Sequence, residues 1–225
     1  LQTFKNMKYL FGFILMFISY IPVRAQIYEV GIFGGGSNLI SDVGKTDYIA
    51  PNRFAIGAVA KWNRSPRYAY RASFTYARVS ADDADSDIGK RKQRGFRFKN
   101  TVKEASAGME FNFWDFDLHE YGFTHTPYVY SGLSFFQYGT LSGNDSSVAI
   151  PMVVGYKVKM TERFILAFEV GARYTFTDNL DLSNPNDNDT FDGQNFGNVK
   201  SNDWFVFTGL TLSYTFGKRP CYCRE

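Results

Sequence analysis

Stretches in which apolar and polar residues alternate one by one, with arginine and glutamate on the polar side, constrain this chain more than any other feature. In "RYAYRASFTYARV" (67–79) one set of alternate positions holds Tyr68, Tyr70, Ala72, Phe74 and Tyr76, and the other holds Arg67, Ala69, Arg71, Ser73 and Thr75. Strand side chains point alternately to opposite faces, so this is a two-faced strand of period two. A soluble sandwich would bury the aromatic face and wet the polar one. A membrane barrel turns the aromatic face to lipid and the arginine into a packed polar lumen. One strand cannot choose between these, but the rest of the chain can.

Strand character recurs near 27–34, 52–62, 67–79, 98–113, 126–138, 148–158, 164–177 and 204–217. The connections run long (35–51), short (63–66), long (80–97), medium (114–125), medium (139–147), short (159–163) and long (178–203). Even strand number, short turns at one end and longer loops at the other are the pattern of an outer-membrane barrel. The face rule repeats as well. Leu166, Phe168, Val170, Ala172, Tyr174 and Phe176 oppose Ala167, Glu169, Gly171, Arg173 and Thr175. Ala105, Ala107, Met109, Phe111 and Phe113 oppose Glu104, Ser106, Gly108, Glu110 and Asn112. An arginine or lysine at the lipid midplane costs about 2–4 kcal/mol, so Arg71 and Arg173 fix which face is inward. Aromatics gather at strand ends, with Tyr28, Trp62, Tyr68, Trp114, Tyr214 and Phe216 on the short-turn side and Trp204 on the other, as amphipathic rings do at headgroups. The expected fold is therefore all-β, an eight-stranded antiparallel transmembrane barrel over 26–217.

Composition agrees with this. Aromatics make up 18% of the chain, yet mean hydropathy is slightly negative, because only every second strand residue has to be apolar. Ahead of the barrel, Lys5 and Lys8 precede the apolar run "YLFGFILMFISYIPV", with Val23 and Ala25 at the small-residue positions of a cleavage site. About 15 apolar residues fall short of the roughly 20 a spanning helix needs. The segment reads as an export signal over 1–25, with the mature protein beginning at Gln26 and translation at Met7. A net charge of +3 is too small to argue for nucleic acid, and "GKRKQR" (89–94) beside "DDADSD" reads as a solvated loop.

The chemistry-bearing residues are few. Inward Arg53, Arg71, Arg173, Glu104, Glu110 and Glu169 are expected to pair as a structural charge network, since buried charges persist chiefly when paired. Eight strands enclose an interior that side chains can just fill, a poor pore. The only histidines, His119 and His125, fall in one short-turn-side connection, the wrong end for outer-leaflet chemistry, and no enzyme is expected. "GIFGGGSN" (31–38) has the glycines of a phosphate loop without the Gly-Lys-Ser/Thr that follows one, and reads as a bent strand end. Asp178, Asp181, Asp187, Asp189 and Asp192 read as a solvated acidic loop, because their spacing does not match a calcium-binding loop. No metal or cofactor is expected. Cys221 and Cys223 lie only in the tail, 218–225, which the even strand count places in the periplasm. Two ligands are too few for a closed zinc site, and a bridge between the two would close a small strained ring. That leaves a free thiol or a bond to another protein.

Taken together, "YEVGIFGGGSNLISDVG", "RYAYRASFTYARVSADDADS", "FRFKNTVKEASAGMEFNF", "TPYVYSGLSFF", "IPMVVGYKVKM", "EVGARYTFTDNLDLS" and "YTFGKRPCYC" resemble, in that order, the PorG family of Bacteroidota, outer-membrane components of the type IX secretion machinery. The resemblance implies a non-enzymatic anchor that tethers a periplasmic ring of PorK and PorN type to the outer membrane, with gliding motility and protein secretion depending on it indirectly. It implies a contact surface made of the periplasmic turns and the tail, with Lys218, Arg219, Cys221 and Cys223 as partner-binding residues and an intermolecular disulfide as one form of the contact. The other reading is a stand-alone barrel, an adhesin or narrow porin-like protein, acting through its outer loops.

Overall fold

The structure is a computed structural model and describes residues 27–118, 122–140, 143–177, 180–182 and 202–217. The segment 1–25 expected to be an export signal, the tail with Lys218, Arg219, Cys221 and Cys223, His119, and most of the 178–203 loop lie outside the described residues. Eight strands make up the fold: β1 (Ile27–Ile40), β2 (Arg53–Asn63), β3 (Tyr68–Asp82), β4 (Arg97–Asn112), β5 (His125–Thr140), β6 (Gly143–Lys159), β7 (Phe164–Thr175) and β8 (Trp204–Gly217). Each pairs antiparallel with its sequence neighbours, and β8 returns to β1, so the sheet closes into a barrel without edges.

Alternation along every strand sets the two surfaces. In β3, Ala69, Arg71, Thr75 and Ala77 are buried inside the barrel, while Tyr70, Ala72 and Phe74 are exposed outside. Ile32, Ile56, Met109, Leu133, Val154 and Leu210 continue the exposed apolar belt around the wall. A belt of this extent is tolerable only where lipid replaces water, so the strands are membrane-spanning. At the short-turn end, Tyr28 stacks on Phe216 at 5.9 Å, Trp62 sits 5.4 Å from Tyr70, and Phe164 meets Tyr214 at 5.5 Å. Tyr174 and Trp204, 5.0 Å apart, mark the opposite interface.

The long-loop end departs from the sequence reading in three ways. β1 does not stop at residue 34 but runs to Ile40, because β8 is long enough to pair it through Leu39↔Phe205 and Ile40↔Trp204. β6 begins at Gly143, opposite Thr140, so most of the expected 139–147 loop is paired strand. The β5–β6 ladder is interrupted where Pro151, which has no N–H to donate, stands across from Gly132.

Third, "GKRKQR", though largely exposed as expected, is not a loop. It forms a short helix, α1 (Gly89–Arg94), ended by Gly95 at φ 66°, where a residue without a Cβ is favoured. Its Arg94 grips Asp83, with Nε to Oδ2 at 2.6 Å and Nη2 to Oδ1 at 2.9 Å. Asp83 also accepts from the backbone N–H groups of Gly44 and Phe96. Burial pushes its carboxyl pKa up, but the Arg94 guanidinium and the two amides outweigh that and hold it below the usual carboxylate value. Arg91 donates to the carbonyls of Ser41 and Gly44, and Arg94 to that of Asp42, so α1 clamps the first long loop to the second.

Candidate functional site

A barrel of this kind has two places for function, its lumen and its ends. The lower half of the lumen, toward the short turns, holds a charge network of which Glu110 is the hub. Fully buried, it lies 2.6 Å from the ammonium of fully buried Lys157, 2.8 Å from Lys61 and 3.6 Å from Arg71. Arg71 clamps Glu169 through two parallel N–H···O bonds of 2.8 and 2.9 Å, the strong bidentate geometry. The hydroxyl of Tyr128 donates to the same carboxylate at 2.7 Å. Tyr128 has room to do so because it lies across Gly155, where a Cβ would come within 2.4 Å of its ring. Glu29 accepts from Asn63 at 2.8 Å and stands 3.9 Å from Lys61.

Higher in the lumen, Arg173 pairs with Glu104 at 3.2 Å and stacks over Phe207 at 4.3 Å. The glutamates Glu29, Glu104, Glu110 and Glu169 face Lys61, Arg71, Lys157 and Arg173 within this network, and a further buried cation, Lys159, lies nearer the mouth and donates to the Leu118 carbonyl at 3.4 Å. Three of the network's members, Glu29, Lys61 and Lys157, were not among the residues singled out from sequence. The parity of β1, β2 and β6 was the signal, since each lies an even number of residues from a small or apolar inward neighbour: Phe33, Val59 and Val153.

Arg53, expected in this network, is not part of it. It has inward parity but sits on the first residue of β2, at the rim, where it is exposed and donates Nε to the Ser80 hydroxyl at 2.8 Å. Asp181 is likewise not solvated. It is buried beside Leu180, whose N–H donates to Asp203 at 3.0 Å; the other aspartates of that loop, Asp178, Asp187, Asp189 and Asp192, lie outside the described residues.

Above the charges the lumen is not uniformly polar, as alternation alone suggested, but holds an apolar cluster beside which Asn100, Thr175 and Asp203 are also buried. Phe33, Phe136, Phe205 and Phe207 pack together inside the barrel, with ring centroids 5.4 Å apart for Phe136 and Phe205 and 5.3 Å for Phe205 and Phe207. Val43 and Leu180, carried in from the long loops, complete the cluster. At the opposite mouth Phe116, in the described part of the 113–124 connection, is buried and lies 4.7 Å from the Lys157 ammonium. Its N–H donates to the Pro66 carbonyl at 3.2 Å.

His125 lies on the barrel exterior, against Tyr156, Trp114 and Phe123. That is an aromatic interface cluster, in which, among the described residues, the imidazole is bonded to the Tyr156 hydroxyl. Among the described residues no group of three His, Cys, Asp or Glu side chains is gathered as for a metal.

The family model described as Domain of unknown function (DUF6089) matches residues 8–225. No curated protein matches the sequence. Among solved structures, Neisserial surface protein A shares 12% identity over 85% of this chain and 96% of its own, with a TM-score of 0.47. The N-terminal barrel domain of Pseudomonas aeruginosa OprF shares 12% over 86% and 98%, with 0.46. A major outer membrane protein of Thermus thermophilus shares 16% over 86% and 100%, with 0.45.

Proposed function

The chain belongs to the family described as Domain of unknown function (DUF6089), and for this member of it we propose a non-enzymatic anchor in the bacterial outer membrane, acting through its ends rather than its lumen. The observation that carries the reading is the packed lumen. A buried charge network, an apolar cluster above it and a buried Phe116 below it occupy the lumen at successive heights, which supports a role at the two membrane surfaces rather than in a channel.

The resemblance to the PorG family gives the finer form of the proposal. The short turns and the tail face the periplasm and hold a ring of PorK and PorN type to the outer membrane, with Lys218, Arg219, Cys221 and Cys223 in contact and one cysteine able to form a disulfide with the partner. The firmness of the turn face supports it: Arg67 bonds Asp115 and the Phe113 carbonyl, and Asn112 donates to Pro66, so the turns are tied to one another. The second reading, a stand-alone barrel working through its long loops, is favoured by the Asp83–Arg94 clamp, which gives those loops a fixed shape.

A non-reducing pull-down of the tagged protein from native outer membranes, beside Cys221→Ser and Cys223→Ser, decides between them. A higher-mass band that vanishes on reduction and in one variant is the expected result. Intact secretion after deletion of 218–225, with nothing co-purifying, would overturn the tether and leave the loops as the working surface.

A further inference from the structure

On the outer wall, just above the apolar belt at the long-loop end, lies a recess of about 550 Å³ between β2 and β6. Its lining includes Arg53, Arg78, Lys99 and Lys103, and none of its lining residues is acidic. All four are exposed, and among the described residues none has an acidic partner. Arg53 bonds Ser80, and Arg78 lies over the Phe54 ring at 5.2 Å. The register brings them together, with Arg78 opposite Thr101 and Lys103 opposite Tyr76 on one side and Gln137 on the other. Cations outnumber acids on this face: the adjoining recess along the rim shares Arg53 and Lys99, adds Arg97, and holds Asp82 and Asp85.

Height in the membrane matters as much as charge. Lys99, Thr101 and Lys103 share the outward face of β4 with Ala105 and Ala107, so the cations follow directly on the lipid-facing row. Below them Phe54 and Tyr76, 6.2 Å apart, and Phe135 stand where rings meet headgroups. A cationic recess seated on aromatic rings at an interface is complementary to an amphiphile with phosphate at its head and acyl chains below, and long basic side chains reach such phosphates by extending from the belt.

We propose that Arg53, Arg78, Lys99 and Lys103 form a binding site for the phosphate groups of a phosphorylated glycolipid whose acyl chains lie in the outer leaflet against β2–β5. The proposal goes beyond the anchoring role, and depends only on the long loops facing outward. Through this contact the barrel would be fixed in height and rotation by the lipid around it.

The test uses the full mature protein in phosphatidylcholine nanodiscs doped with diphosphorylated lipid A or with the same lipid after phosphatase treatment, and counts retained glycolipid by native mass spectrometry. Each basic residue at an anionic interface strengthens binding about fivefold, so R78Q/K99Q/K103Q is expected to weaken retention of the diphosphorylated form roughly 100-fold. The exposed-site control K45Q/R64Q/K90Q is expected to leave it unchanged. Heat-dependent gel migration confirms that each variant is a closed barrel, and R78K/K99R/K103R, which keeps the charges, is expected to bind like the parent. Equal retention of the dephosphorylated lipid, undiminished binding by the triple glutamine variant, or an equal loss in the control would each overturn the site.

Discussion

Glu110 faces two ammonium groups and a guanidinium at once. Such a group is held by mutual compensation: removal of one member leaves the others as uncompensated charge out of water, which costs about 3–5 kcal/mol, whereas the intact network stabilises by much less. Glu110→Gln keeps the shape and removes the charge. It is expected to lower unfolding stability by about that amount, read from urea titration in lipid vesicles. Arg53→Gln, by contrast, removes an exposed rim residue bonded only to a hydroxyl, and is expected to change stability by less than about 0.5 kcal/mol. A comparable loss in both variants would mean that Arg53 belongs to the lumen network after all. Arg71 and Arg173 could be read as inward from their strands alone, since lipid rejects them. Their partners could not, because Arg71 and Glu169 are on strands far apart in sequence and meet only across the closed lumen.

At the scale of elements, the acidic and basic runs at 82–94 show how charge patterning misleads. Two adjacent runs of opposite sign read as mutually solvated, but the folded loop selects Asp83 and Arg94 from them, buries the carboxylate and uses the pair to fasten α1 and the first long loop. A carboxyl pKa held below its unfolded value contributes stability that is fully present above the unfolded pKa, near 4, and is lost as pH falls through the folded one. Amide exchange of Gly44 and Phe96, corrected for intrinsic rates, is therefore expected to lose protection as pH drops below about 4. Asp83→Asn is expected to show the weakened protection already at pH 7, by about 2 kcal/mol, and to be insensitive to acid. Protection in the parent that is flat from pH 7 to pH 3 would show that the carboxylate does not hold the loop.

For the whole molecule, a lumen packed with paired charges and an apolar cluster makes the barrel a post rather than a pore. Reconstituted into planar bilayers, it is expected to show no steady conductance, and liposomes containing it are expected not to swell in small sugars. The apolar cluster and the buried Phe116 lie at different heights, so Phe205→Ala or Phe116→Ala alone is expected to leave the bilayer silent. Steady single-channel steps from the parent would contradict the packed lumen, and with it the reading that function lies at the ends.

Period-two alternation, an arginine on the inner face and connection lengths that alternate between ends were enough to specify eight two-faced strands and their inward faces, because lipid penalises a one-residue slip at every strand. The extent of β1, the early start of β6 and the helix at 89–94 depended on what stood opposite: β8 for Ile40, Thr140 for Gly143, Asp83 for Arg94. Which inward residues pair, that the upper lumen holds an apolar cluster, and that Phe116 is buried at the lower mouth were decided only when the sheet closed. Alternation tells which way a side chain points, but the height at which it meets a partner across the barrel is set by the combined register of all eight strands.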